Sequence, residues 1–169
     1  MESDSIRPGE ASIELPASFD AGLYYIGRIR TPWRRREDCP KNAGEAHAAG
    51  AICTIEVAPR YAAALTEIDT CPRLLVLYWM HEARRDLVVQ SPRHHGRPRG
   101  TFALRSPVRP NPVAASVVEL VRAEGNRLTV IGLDCLDGTP LIDLKPHYAS
   151  ADGGSDTPVA SRGQQKVDV

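Results

Sequence analysis

The sequence has no excess of charge of either sign: 21 basic residues balance 21 acidic ones over 169 positions. That excludes a surface coated in positive potential, although not a local basic patch. No apolar run approaches the ~20 residues that a membrane-spanning helix needs. The stretch from Met1 to Asp20 carries Glu2, Asp4, Glu10 and Glu14 and has no continuous apolar segment, so it does not read as a signal peptide. Both absences predict a cytoplasmic protein. The four cysteines, Cys39, Cys53, Cys71 and Cys135, contain no C-x-x-C pair. Neither a zinc site nor a disulfide framework is expected from them, only free thiols, buried or half-buried. There is no internal repeat and no Gly-rich turn within a βαβ alternation, which argues against a dinucleotide-binding fold.

What the sequence does contain is a series of short runs rich in Val, Ile, Leu and Tyr. A chain of this length most simply makes one domain able to bury a core. Residues 1–20 are polar and predict a flexible arm, and residues 151–169, rich in Gly, Ser, Asp and Gln, predict a disordered or loosely packed tail. The domain is expected over residues 21–150. Strands are predicted at Leu23–Arg30, Ala51–Val57, Leu87–Gln90, Thr101–Arg105, Ser116–Arg122, Leu128–Leu136 and Thr139–Leu144. Leu74–His81 is one continuous apolar run and predicts a central strand buried on both faces. Asn42–Ala49 and Arg60–Leu65 read as short helices, the second after Pro59, which suits a first helical turn. Turn signals separate the strands, so the fold class is all-β with short helices, a sandwich or a barrel.

Two motifs depart from a simple core pattern. Asp137-Gly138 within Asp134–Pro146 is a hairpin signal. A two-residue turn there pairs Leu136 with Thr139, Asp134 with Leu141, Gly132 with Asp143, and Val130 with Lys145. Alternation then places Asp134, Asp143 and Lys145 on one face, with Ile131, Leu133, Ile142 and Leu144 on the core face. Gly132 opposite Asp143 leaves a notch where a ligand can approach the backbone. The polar face is either such a site or a surface Asp–Lys pair of little energetic value. The second motif is Arg105–Pro112, stiffened by Pro107, Pro110 and Pro112, which hold Ser106, Arg109 and Asn111 extended. Guanidinium groups on so rigid a loop suit a carboxylate or a phosphate. The alternative is a rigid surface connection with solvated arginines.

His81 closes the apolar run and is either a ligand contact or proton shuttle, or a structural histidine. Arg93–Gly100, with Arg97 and Arg99, and the run Arg34–Arg36 are local basic patches suited to phosphate contacts, or simply solvated loops.

Several stretches together resemble one family. Tyr25–Pro32 is similar to its opening I-G-x-I-R-S-P, Ala58–Leu65 to its P-x-Y-x-x-A-L, and Leu77–His81 to its central strand ending in histidine. Phe102–Pro112 resembles F-A-T-R-S-P-x-R-P-N-P, and the Asp137-Gly138 region resembles L-D-x-x-D-G-T-P-x-x-D-I-K-P. This is the pattern of the TsaA-like (YaeB-like) family of tRNA threonylcarbamoyladenosine methyltransferases, the TrmO type. The resemblance implies a small β-barrel, S-adenosyl-L-methionine as cofactor, a homodimer with cofactor near the interface, and methyl transfer to N6 of threonylcarbamoyladenosine beside the anticodon of tRNA. It departs where the family's P-R-Q becomes Pro40-Lys41-Asn42, where P-N-P-I-G becomes Pro112-Val113-Ala114, and where an extra C-terminal domain of some members is not expected.

The cofactor set implied by the resemblance is Lys41, Asn42, His81, Glu82, Arg105, Ser106, Leu133, Asp134, Leu136, Asp137, Gly138 and Thr139. Asp134 or Asp137 would meet the cationic cofactor or its amine and ribose hydroxyls, and Arg105 its carboxylate. The acceptor N6 is conjugated to a carbonyl and is a poor nucleophile, so a polarising cation or base should assist: Lys145, Tyr148 or His81. Arg109, Asn111, Arg97 and Arg99 are assigned to the RNA or the dimer edge. Three other readings compete: a methyltransferase of the same fold with another acceptor, a non-catalytic S-adenosylmethionine-binding module, and a divalent-metal site from Asp134, Asp137 and Asp143. Lys145 on the same face disfavours the metal; none is expected.

Overall fold

The computed structural model describes residues 6–92 and 96–148. Six antiparallel strands close a barrel: β2 (Gly27–Arg30), β3 (Ile52–Val57), β4 (Arg73–Trp79), β7 (Val113–Glu124), β8 (Arg127–Ile131) and β9 (Pro140–Pro146). Around the barrel the order is β2-β3-β8-β7-β4-β9, so no strand of it is left with an open edge. Alternation explains the core. In β3, Cys53, Ile55 and Val57 point inward while Ile52, Thr54 and Glu56 point out. Ile29, Leu74, Val76, Val118, Leu128, Val130 and Leu141 meet them and are fully buried. The α-helix of the described residues, α1 (Ala43–Ala49), and a 3₁₀ turn at Pro59–Leu65 pack outside. Asn42 caps α1 by accepting from the Glu45 amide, and the Glu45 carboxylate receives the Lys41 amide in return.

The all-β barrel expected from the sequence is what forms, with several local differences. Leu74–His81 is not buried on both faces. Leu74, Val76 and Tyr78 face inward and Leu75, Leu77 and Trp79 are half-buried, because a closed barrel has only one interior. The first barrel strand is confined to Gly27–Arg30, and Leu23, Tyr24 and Tyr25 before it are exposed. Thr101–Ala103 is a 3₁₀ turn rather than a strand. Within the segment expected as a flexible arm, β1 (Ala11–Ser12) pairs with β5 (Leu87–Gln90), whose other edge takes β6 (Arg99–Gly100). The edge of β5 thus supplies partners that an isolated polar segment lacks. The tail over 151–169 lies outside the described residues.

The largest correction concerns the hairpin. Asp137-Gly138 does not join paired strands. Both edges of β8 are occupied, by β3 and β7, and both edges of β9 by β4 and β2. Residues 132–139 therefore cross the barrel mouth from one side to the other, with Leu133 and Cys135 as the buried plug. Val130 pairs with Cys53 and Leu120 instead of Lys145, and Lys145 pairs with Leu75. A register shift in β9 between Leu141 and Asp143 reverses the alternation, so Leu141 and Leu144 both serve the core while Asp143 and Lys145 face outward.

Gly27 sits against β3 so closely that a Cβ there would lie 2.1 Å from the Glu56 carbonyl oxygen. Gly27→Ala is expected to push β2 off β3 and cost about 1–3 kcal/mol. A denaturant midpoint equal to that of the parent protein would contradict this.

Candidate active site

The segment crossing the mouth is held from below by the end of β2 and the turn after it. The Asp137 amide donates to the Trp33 carbonyl at 2.7 Å and the Gly138 amide to Ile29 at 2.8 Å. In return the Asp137 carboxylate accepts from the Thr31 amide at 3.2 Å, and Thr31 Oγ1 donates to the Cys135 carbonyl at 2.9 Å. Thr139 closes the turn by donating its hydroxyl to Leu136 at 2.8 Å. Gly138, at φ +81°, supplies the left-handed backbone that this turn requires. Asp137 and Thr139 thus both spend hydrogen-bonding capacity on holding the segment.

Asp134 differs. It lies over the barrel interior, where the Tyr78 hydroxyl donates to its Oδ1 at 2.7 Å. Ser116 Oγ stands 2.8 Å from the phenol oxygen and 3.3 Å from the same Oδ1. Oδ2 has no hydrogen-bond partner among the described residues. Burial first, and then the charge of Asp134, push the Tyr78 phenol far above its ordinary range, so it remains a proton donor. The result is a carboxylate with one oxygen fixed by hydroxyls and one available to a hydrogen-bond donor or a cation.

One other group approaches this carboxylate. Cys39 is close enough that burial and then the Asp134 charge raise its thiol to about 11, so it does not act as a thiolate near neutral pH. Lys41 and Asn42 follow directly; Lys41 is exposed, whereas the Asn42 side chain is occupied at the cap of α1. Arg105 donates to the Ala115 carbonyl at 3.3 Å, one residue before Ser116, and meets no carboxylate among the described residues. Ser106 Oγ accepts from the Val108 amide at 3.3 Å. His81 and Glu82 follow β4, whose residue Trp79 pairs with Val113 at the start of β7; the two side chains are 3.8 Å apart.

Lys145 and Tyr148 do not join this group within one chain. Lys145 lies four residues beyond Leu141, about 13 Å along the strand, and is paired with Asp143 at 2.7 Å. Asp143 and Lys145 therefore share the outer face, and Asp134 does not join them. Tyr148 is exposed beyond the far end of β9, beside Leu65 and Ile68. The notch at Gly132 is filled: a Cβ there would lie 2.4 Å from the His47 ring, so the glycine admits a histidine of α1 rather than a ligand.

The rigid Arg105–Pro112 loop is also closed in part. Arg109 donates to the carbonyls of Leu104 and Thr101 at 2.5 and 3.3 Å and so braces its own loop instead of offering a free fork. Asn111 is exposed and touches Arg85, whose guanidinium lies between Phe19 and Trp79 at 5.5 and 5.4 Å. Arg97 is exposed and Arg99 lies in β6; residues 93–95 of this basic loop are outside the described residues. Arg35 is spent on Asp38 at 3.0 Å.

Sequence reasoning missed Tyr78 and Ser116. Tyr78 was hidden within an apolar run and Ser116 within a predicted strand, and only the β4–β7 pairing brings them together. The inward phase of β4, which puts a hydroxyl among apolar neighbours, was the available signal.

Comparison with known proteins decides the family. Residues 28–153 match the tRNA-methyltransferase O N-terminal domain. The chain belongs to this family. Among curated relatives of this chain, a probable S-adenosyl-L-methionine-binding protein, VirR of Rhizobium radiobacter, is 47% identical over 86% of this chain and 82% of its own length. The tRNA (adenine(37)-N6)-methyltransferase of Escherichia coli is 32% identical over 75% of this chain, which spans 57% of that enzyme. The crystal structure of TrmO from Pseudomonas aeruginosa superimposes with a TM-score of 0.66 at 29% identity, covering 85% of this chain and 64% of that one.

Proposed function

We propose that the protein is an S-adenosylmethionine-dependent methyltransferase that modifies N6 of threonylcarbamoyladenosine beside the anticodon of tRNA, in the cytoplasm. The observation that carries this reading is Asp134 at the barrel mouth, anchored through one oxygen by Tyr78 and Ser116 and open at the other. Family membership and the names of the relatives support the cofactor class.

The residues present fit such a cofactor. An open carboxylate oxygen suits its amine or ribose hydroxyls, and Arg105 and Lys41 offer cations for its carboxylate. When bound, the cofactor supplies a sulfonium-activated methyl group. The chain's part is alignment and charge placement, since an in-line displacement gains most from a preorganised geometry. His81 and Lys145 are the candidate cation or base for the weakly nucleophilic acceptor nitrogen, with Tyr148 as a further donor. Because Lys145 and Tyr148 stand away from the mouth of their own barrel, the reading includes a homodimer in which a second copy presents them. Arg97, Arg99 and Asn111 are left for contacts to RNA or to that copy.

The decisive experiment is calorimetry with S-adenosylmethionine, with and without added divalent metal, followed by single-turnover transfer to threonylcarbamoylated tRNA. Metal-independent binding and one methyl group transferred per site are expected. Lys145→Ala is expected to lower turnover by about 10²–10⁴-fold while cofactor affinity holds; full turnover in that variant removes Lys145 from the mechanism. A second reading, a cofactor-binding module without catalysis, draws on relatives named only for S-adenosylmethionine binding. Tight binding with no transfer in the single-turnover assay would favour it.

A further inference from the structure

A second opening lies on the side of the barrel, where β2, β3 and the start of β9 meet. It encloses about 520 Å³ and is lined by Tyr25, Arg28, Glu56, Pro59, Asn126 and Arg127, with Pro140 at its edge. Its floor is backbone, because Gly27 packs directly on the Glu56 carbonyl and leaves no side chain to fill the space. Glu56 is shared between Arg30, at 3.0 Å, and Arg127. Among the lining groups, the guanidinium groups of Arg28 and Arg127 against the one carboxylate of Glu56 leave the cleft positive. Arg28 meets no carboxylate among the described residues; its one hydrogen bond, at 3.4 Å, is to the Gly138 carbonyl. Tyr25 is 49% exposed, an apolar ring left at the rim.

Flat apolar walls beside guanidinium groups match the two halves of an unpaired nucleotide. The base stacks on an aromatic ring, and the phosphate meets a planar fork. The volume suits one nucleotide rather than a helix. An acidic peptide would leave the tyrosine and prolines unused. The position is informative too. Arg28 reaches from this cleft to the turn that closes the barrel mouth, and Pro140 directly follows that turn.

We propose that this cleft binds an unpaired tRNA nucleotide flanking the methylated adenosine, with Tyr25 stacking on the base and Arg28 and Arg127 holding its phosphate. The inference rests on the tRNA methyltransferase reading above. The test is anisotropy of fluorescein-labelled tRNA titrated with the full chain at several salt concentrations. Tyr25→Ala should weaken binding at least about 5-fold, while Tyr25→Phe, which keeps the ring, stays near the parent value. Arg28→Ala should weaken binding and reduce the slope of log K against log salt by about one. S-adenosylmethionine affinity, read by calorimetry, should hold in all three and reports that the barrel is intact. If the parent protein methylates tRNA and Tyr25→Ala and Arg28→Ala bind tRNA as it does, the cleft is overturned and the methyltransferase reading stands. If the parent protein neither binds nor methylates tRNA, both fall together.

Discussion

Asp134→Asn is expected to weaken S-adenosylmethionine binding by roughly 30- to 1,000-fold, about 2–4 kcal/mol, the usual cost of removing one charge from a desolvated, hydrogen-bonded pair. Asparagine keeps an oxygen for Tyr78 and Ser116, which bond only Oδ1, so the barrel should melt close to its original temperature. The substitution therefore separates charge from shape. Tyr78→Phe provides the contrast. It deletes the 2.7 Å donor but leaves the carboxylate charged and still near Ser116, so a loss of only about 3- to 10-fold is expected, because the phenol acts on the cofactor only by orienting that carboxylate. Calorimetry on both variants checks the pair. Parent-like affinity in Asp134→Asn would remove this carboxylate from the cofactor site.

Gly132→Ala should be the most destabilising single methyl group in the mouth, costing about 2–5 kcal/mol. Two causes act together. The backbone stands at φ +110°, where a Cβ is strained whatever surrounds it. The new methyl would also lie 2.4 Å from His47 Nε2, and that ring is held by the Val117 carbonyl at 3.1 Å. The two parts are separable. His47→Ala removes the obstacle but not the backbone strain, so the double variant should recover part of the loss, with a coupling of about 1 kcal/mol or more in a double-mutant cycle. Additive effects of the two substitutions would show that the exposed His47 ring swings aside without cost.

Strand positions were largely legible in the sequence. Leu87–Gln90 forms as expected from its run of Leu and Val, and Ile52–Val57 within one residue, because its inward and outward side chains alternate. The short helix was legible too, since Asn42 and Glu45 cap it locally. Of the candidate site, the residue types were legible but not their grouping: Asp134 meets Tyr78 and Ser116, Arg105 bonds the Ala115 carbonyl, Lys145 pairs with Asp143, and Arg109 braces its own loop. The phase of β9 could not be read, because its register shift depends on the strand beside it.

By itself, then, the sequence determined an all-β chain of short alternating strands, the places where it turns, and the family to which its motifs belong. Only the tertiary structure decided which strands are neighbours. Asp137-Gly138 carries a strong local turn preference, and a turn does form there. Whether that turn joins two paired strands depends on free edges, and β3 and β7 had already taken both edges of β8. Barrel closure is a long-range outcome. It sent residues 132–139 across the mouth and placed Asp134 over Tyr78 and Ser116, a contact that no local pattern encodes.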